Sequence, residues 1–385
     1  MYPRISDFIN DVFSTSFEWP IQSYGFFLTL AFLLAALVLR SELKRKENEG
    51  LIHPVKKTIN SNKGRITDMI LSLLLGFLIG FKLPAILGDY DLFVKNPQEA
   101  LLSQEGSILF GLLGMALMVV VFYYQGKNLK KEAVVQTVHP YQLTAMLILI
   151  AAVTGIIGAK IFHQLENWQS FMNDPVEALL SFDGLTFYGG LITAAFFVAY
   201  YGEKQKISWR IMGDTVAPAL ILAYGIGRIG CHVAGDGDWG IVNTMPQPEW
   251  LSFLPSWVWA YDYPNNVLRE GVLIPGCTGP YCYKLAQSVF PTPIYETSMS
   301  LLIFGILMGL RKKLVIPGQL FAIYLIFNGI ERGLIEQIRV NNLMHFMGIE
   351  ITQAQLISTI LIVLGLALFF LFTFTKKQKN NADAT

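Results

Sequence analysis

The chain has 385 residues, 53% of them hydrophobic and only 15% charged, with a mean hydropathy of +0.46. Soluble domains carry about 25% charged residues, so the composition excludes an ordinary soluble domain and points to an all-α, polytopic integral membrane protein. A formal net charge of +1 gives no sign of a nucleic-acid partner, and three cysteines are too few for a disulfide framework.

Residues 1–20 come first, with Ile5, Phe8, Ile9, Val12 and Phe13 at helical spacing. Two readings fit: a short amphipathic arm lying on the outer membrane surface, or a disordered tail. The first apolar run, about Ile21 to Leu39, is long enough to span and reads as a retained helix rather than a cleaved leader. Further apolar runs follow. The expected spans are 21–40, 66–88, 107–124, 142–164, 187–202, 211–231, 294–311, 318–336 and 352–374, about nine in all.

Lysine and arginine set the expected orientation. They crowd the segments after spans 1, 3, 5, 7 and 9, for example Lys44-Arg-Lys46, Lys130-Lys131, Lys204, Arg311-Lys-Lys313 and Lys376-Lys377. The other loops hold far fewer, such as Lys95, Arg269 and Lys284. The N-terminus is therefore expected outside and the C-terminus in the cytoplasm.

This orientation brings polar groups from five spans to one leaflet. Ser23-Tyr24-Gly25 opens span 1 and Phe187-Tyr188-Gly189-Gly190 opens span 5. Arg228 to Asp236 closes span 6, Tyr295-Glu296 opens span 7, and Arg332, Glu336 and Arg339 close span 8. The expected organisation is an arm at 1–20, span 1 at 21–40, an extra hairpin at 66–124, a second hairpin at 142–202, and a signature helix with a glycine-rich turn at 211–241. An aromatic-rich outside loop at 242–293, C-terminal spans at 294–374 and a cytoplasmic tail at 375–385 complete it. The loop holds Trp250, Trp257, Trp259, Tyr261 and Tyr263. It fits either a cover resting at headgroup level or a small folded ectodomain with an aromatic core. Cys277 and Cys282 lie within it on the oxidising side, where a local disulfide can form.

Two segments repeat at an offset of 78. Asn96-Pro-Gln-Glu-Ala-Leu-Leu-Ser103 matches Asp174-Pro-Val-Glu-Ala-Leu-Leu-Ser181, Gly80-Phe-Lys82 matches Gly158-Ala-Lys160, Gly106 matches Gly184, and Phe110-Gly111 matches Tyr188-Gly189. Spans 2–3 thus read as a duplicate of spans 4–5 in the same orientation. Parallel repeats occur in transporters, which keeps a small-solute transporter as an alternative. A non-catalytic lipid-binding paralogue is another.

The most informative stretch is Ala223-Tyr-Gly-Ile-Gly-Arg-Ile-Gly-Cys-His-Val-Ala-Gly-Asp-Gly-Asp-Trp-Gly240. Arg228 lies in an apolar run, where a charge signals a site, and Gly225, Gly227 and Gly230 clear space around it. On span 8, Asn328, Arg332, Glu336 and Arg339 follow one helix face. Two guanidiniums converging at headgroup level suit a phosphate.

In order along the chain, Tyr24-Gly25, Gly158-Ala-Lys160, Gly184-Leu-Thr-Phe-Tyr-Gly-Gly-Leu191, Gly213-Asp214-x-x-Ala217-Pro218, Gly227-Arg-Ile-Gly230, Pro291-Thr-Pro-Ile-Tyr-Glu296 and Arg332-Gly-Leu-Ile-Glu336 resemble the motifs of the prolipoprotein diacylglyceryl transferases. The resemblance covers most of the chain outside the extra span pair and the long loop. It implies an enzyme of the bacterial inner membrane, its site toward the outer leaflet. The reaction would move a diacylglyceryl group from phosphatidylglycerol to the lipobox cysteine of prolipoprotein signal peptides. It calls for no cofactor and no metal. Tyr188 stands where the family has histidine, Cys231 and Ala234 replace its two asparagines, and Asp236 replaces its glutamate. A tyrosine with a pKa near 10 is a poor base, so His232 is the expected proton acceptor. Tyr188, Arg228 and Arg332 complete the catalytic set. Tyr24, Gly189, Gly190, Gly230, Asp236, Glu296, Glu336 and Arg339 are expected to bind substrate.

Overall fold

The computed structural model describes all residues except 60, 91–92, 94–104, 128–133, 176–177, 179–185, 341–342, 347–348 and 383–385. The first copy of the repeated octamer lies outside the described residues, as do Gly184 and most of the second copy. The chain forms two units, one of Met1, Tyr24–Val55 and His139–Thr385, the other of Tyr2–Ser23 and Lys56–Val138.

Helices occupy every expected span. In chain order they are α1 (Ile5–Phe13), α2 (Ser23–Asn48), α3 (Ser61–Gly88), α4 (Ile108–Lys127), α5 (Thr144–Glu166), the short α6 (Trp168–Asn173), α7 (Phe187–Lys204), α8 (Trp209–Ala234), α9 (Thr292–Leu310), α10 (Gln319–Ile335) and α11 (Gln353–Ala382). Among the described residues five helices are long and apolar enough to cross a membrane, and Ser72–Gly88 and Ile108–Tyr124 are shorter apolar segments. The fold is all-α and polytopic. Helices suit the bilayer because they satisfy every backbone N–H and C=O internally. Among the described residues three two-stranded sheets accompany them: β1 (Val55–Ile59) with β2 (Val134–Val138), β3 (Val272–Leu273) with β4 (Tyr283–Lys284), and β5 (Leu343–Phe346) with β6 (Ile349–Thr352).

In the larger unit α5 packs on α7, α8 on α9, and α10 on α11. The core between α8, α9 and α10 is apolar: Ala217 and Ile221, Ile303 and Leu307, and Leu320, Tyr324 and Leu325 are buried together. Leu302, Val363 and Phe370 project outward, as a lipid-facing surface requires. The α5–α7 crossing is tight. A Cβ at Gly189 would collide with Phe162, and one at Gly158 with Thr193 and the Gly189 carbonyl. In the smaller unit α3 packs on α4, with Gly80 against the Phe110 carbonyl and Gly111 against Phe77. The smaller unit also holds α1, whose Phe8, Val12 and Phe13 are exposed.

Candidate active site

The site is built where α8 and α10 end and α9 begins. Gly235, at φ +65°, caps α8 in the left-handed region that glycine adopts without strain. The chain then turns back: the Gly240 N–H donates to the Phe290 carbonyl (2.8 Å) and the Ile241 N–H to the Ile338 carbonyl (2.8 Å). Gly240 forms an isolated bridge with Arg339. Helix α10 stops at Ile335, and a 3₁₀ turn, Glu336–Ile338, leads into extended backbone at Arg339. Arg339 therefore reaches the site from extended backbone beyond the helix, not from the continuous helix face that its spacing suggested.

Three arginines converge on one carboxylate. Glu296, fully buried on α9, lies 3.1 Å from Arg228 Nε, 3.4 Å from Arg339 Nη1 and 3.8 Å from Arg332 Nη1. The Tyr224 hydroxyl donates to Glu296 Oε1 at 3.0 Å, and the Arg228 guanidinium sits 5.1 Å from the Tyr224 ring centre. Asp238 is the second organiser, with one oxygen on Arg228 and the other on Arg339. Thr292 fixes its backbone by donating to the Asp238 carbonyl at 2.6 Å. Burial disfavours the Asp238 carboxylate, but Arg228 and Arg339 outweigh it and hold its carboxyl below the ordinary value. Asp236 shifts the other way, raised first by burial and then by Asp238.

Arg332 is held more loosely. Its Nη2 lies 3.2 Å from Glu336, and its buried Nε has no hydrogen-bond partner. On α7, Tyr188 lies beside Arg332, and the buried Gly189 and Gly190 let α7 approach α5. Tyr24, half exposed, backs onto Gly230: a Cβ there would lie 3.5 Å from Tyr24 Cα and 2.9 Å from Phe27 Cβ. Tyr24, Tyr188, Arg228, Glu296 and Arg332 thus come from five helices of one unit, and Glu336 and Arg339 from the turn and extended chain that follow α10.

His232 turns to the aromatic loop. Its Nδ1 lies 3.2 Å from the Tyr263 hydroxyl, and its ring stacks 5.8 Å from Trp257, with Tyr261 and Tyr263 alongside. The ring's hydrogen-bond partner is Tyr263. Burial raises the Tyr263 phenol above its usual pKa, so it keeps its proton. Cys277 and Cys282 form a disulfide in the same loop.

Cys231, Asp236 and Asp238 bring ligand atoms within 4.8 Å of one another. Both Asp238 oxygens already accept from guanidiniums, and those positive charges repel a cation, so the group does not suit a metal. Sequence reasoning passed over Tyr224, Asp238 and Glu331 as site residues. Glu331 is buried on α10 beside Arg332, and its Oε1 has no partner. A carboxylate in an apolar span was the signal available for Glu331. Asp238 was visible in the turn, but its role depends on the bridge at Gly240.

Fold and site together define a multi-pass membrane protein with a buried arginine–carboxylate cluster at one end of its helices. The family model for prolipoprotein diacylglyceryl transferase matches residues 11–144 and 108–371. The chain is 30% identical over 242 residues to the phosphatidylglycerol–prolipoprotein diacylglyceryl transferase of Corynebacterium glutamicum, covering 62% of this chain and 72% of the relative. The protein of that name from Streptococcus uberis is 30% identical over 230 residues, with 58% and 76% covered, and that from Clostridium novyi 29% over 221 residues, with 57% and 76%. The chain belongs to the prolipoprotein diacylglyceryl transferase family.

Proposed function

We propose that this protein transfers a diacylglyceryl group from phosphatidylglycerol to the lipobox cysteine of prolipoproteins, at the outer leaflet of the bacterial inner membrane. The observation that carries the reading is the convergence of Arg228, Arg332 and Arg339 on Glu296, with Arg332 Nε buried and unpaired. Glu296 and Asp238 hold the guanidiniums in place before substrate arrives, which is how preorganised charge stabilises a transition state. Arg332, with its spare donors, takes the phosphate of the lipid.

The acceptor sulfur, as thiolate, attacks the terminal glyceryl carbon of the diacylglyceryl group. A C–S bond forms, the C–O bond to phosphorus breaks, and glycerol phosphate leaves with the electron pair. His232 takes the thiol proton on Nε2, its Nδ1–H donating to the Tyr263 hydroxyl. Tyr188 positions the phosphate or glycerol by hydrogen bonding. The N-terminus lies outside and the C-terminus in the cytoplasm. The lysine and arginine distribution supports this, and so does the Cys277–Cys282 disulfide, which belongs on an oxidising side.

The test is a gel-shift assay of purified protein with a lipobox peptide and phosphatidylglycerol. Wild type should convert the peptide. Arg228→Ala and Arg332→Ala should each lose transfer while still inserting into the membrane. Full activity in either variant would remove the phosphate role assigned to it.

A further inference from the structure

A second polar site lies at the other end of the same unit. Asp214 precedes Arg228 by fourteen residues on α8, so the two are about 21 Å apart along the helix. Around Asp214 is a cavity of about 250 Å³ whose polar lining is Arg45, Lys46, Glu49, Asp214, Arg311 and Lys312. Leu51, Leu314, Val315 and Pro317 form an apolar wall. The helix ends of α2 and α9 and the start of α8 supply the charges.

The carboxylates here are occupied. The fully buried Glu42 takes both Arg45 (2.8 Å) and Arg311, and Arg45 also bridges to Glu49 at 2.7 Å. Asp214 accepts the Gly318 N–H at 2.8 Å and the Phe321 N–H at 2.9 Å, tying down the start of α10. What remains unmatched is positive. The Lys46 side chain is only 6% exposed, yet its ammonium comes no nearer to a carboxylate than 3.8 Å from Asp214, too far for a hydrogen bond. An ammonium has three donors, and among the described residues no acceptor takes any of them. Arg311 Nε is buried without a partner, and the exposed Lys312 stands at the rim. Four basic side chains line the cavity against two carboxylates, and an anion in the cavity would balance them.

We propose that this cavity binds a phosphate group, that of an anionic phospholipid of the adjacent leaflet, with Lys46, Arg311 and Lys312 on the phosphate and the Leu51–Val315 wall along the glyceryl and first acyl carbons. The apolar wall beside the donors favours a lipid over free phosphate. Basic pockets between helix ends facing a negatively charged leaflet suit such a headgroup. The site is separate from the arginine cluster and does not depend on the transfer reaction.

The test counts retained lipids by native mass spectrometry on purified full-length protein, with dilauroyl phosphatidic acid as probe, phosphatidylcholine as control and inorganic phosphate as competitor. Lys312→Gln, an exposed change that leaves the fold alone, and Lys46→Met, which keeps the side-chain length, are compared with wild type. Retention at this site should fall at least tenfold in the double variant and stay at the wild-type level in Arg228→Ala, which reports on the other site. Transfer activity should be unchanged in Lys312→Gln. Displacement of the lipid by millimolar inorganic phosphate would assign the site to free phosphate. Equal retention of phosphatidic acid by wild type and both variants would overturn the proposal.

Discussion

Glu296→Gln isolates what the central carboxylate does. The change keeps size and an oxygen that can accept from Tyr224, but it removes the charge that three arginines share at 3.1, 3.4 and 3.8 Å. Breaking a buried ion pair from one side costs about 3–5 kcal/mol, because the partner charge is left uncompensated. Asp238 still holds Arg228 and Arg339, so the lower end applies, about 3 kcal/mol. For a chain of this size that lowers Tm by on the order of 5 °C. Arg332→Lys is the matching control. It keeps a positive charge beside Glu336 and loses the planar fork, so Tm should stay near wild type while transfer falls at least tenfold. Thermal unfolding in detergent, followed by tryptophan fluorescence, and the peptide gel-shift assay read the two effects separately. A Glu296→Gln protein with wild-type Tm and wild-type transfer would refute the view that Glu296 organises the cluster.

Three further outcomes are expected. If His232 accepts the thiol proton, His232→Gln lowers the transfer rate and removes the acid limb of its pH profile, while Tyr188→Phe costs less. Loss of that limb in Glu331→Gln, with His232→Gln unaffected, would give the role to the buried Glu331 carboxylate instead. Reducing Cys277–Cys282, five residues apart, should destabilise the loop by about 2 kcal/mol. Thiol titration of the unfolded, unreduced chain should find Cys231 alone. The α3–α4 hairpin should superpose on α5 and α7 with Phe110 over Tyr188. Gly158→Leu, driven into Thr193 and the Gly189 carbonyl, should then cost about 1–3 kcal/mol in thermal unfolding as an overpacked crossing.

The doubled family match, with its two stretches overlapping at 108–144, accords with an extra copy of one helical hairpin. The glycines do as well: Gly80 and Gly111 stand 78 residues before Gly158 and Gly189, and each pair lies at its own helix crossing.

Much of this protein is written in local sequence. A run of apolar residues near the bilayer thickness has only one good solution, because helices alone satisfy the backbone within one segment. Helices at all nine expected positions follow from that. Arg228, Arg332 and Glu296 were legible for a related reason, since charge inside such a run is too costly to be incidental. What the tertiary structure decided depends on contacts between distant residues. The pairing of Asp238 with Arg339 requires Gly240 to bridge to the chain beyond α10. No spacing rule carries that, and helical periodicity misdescribed it by extending α10 through Arg339. His232 shows the same limit. Its place one turn after Arg228 on α8 is local, but the ring's partner, Tyr263, comes from a loop 31 residues away, and only the packing of Trp257, Tyr261 and Tyr263 brings it there.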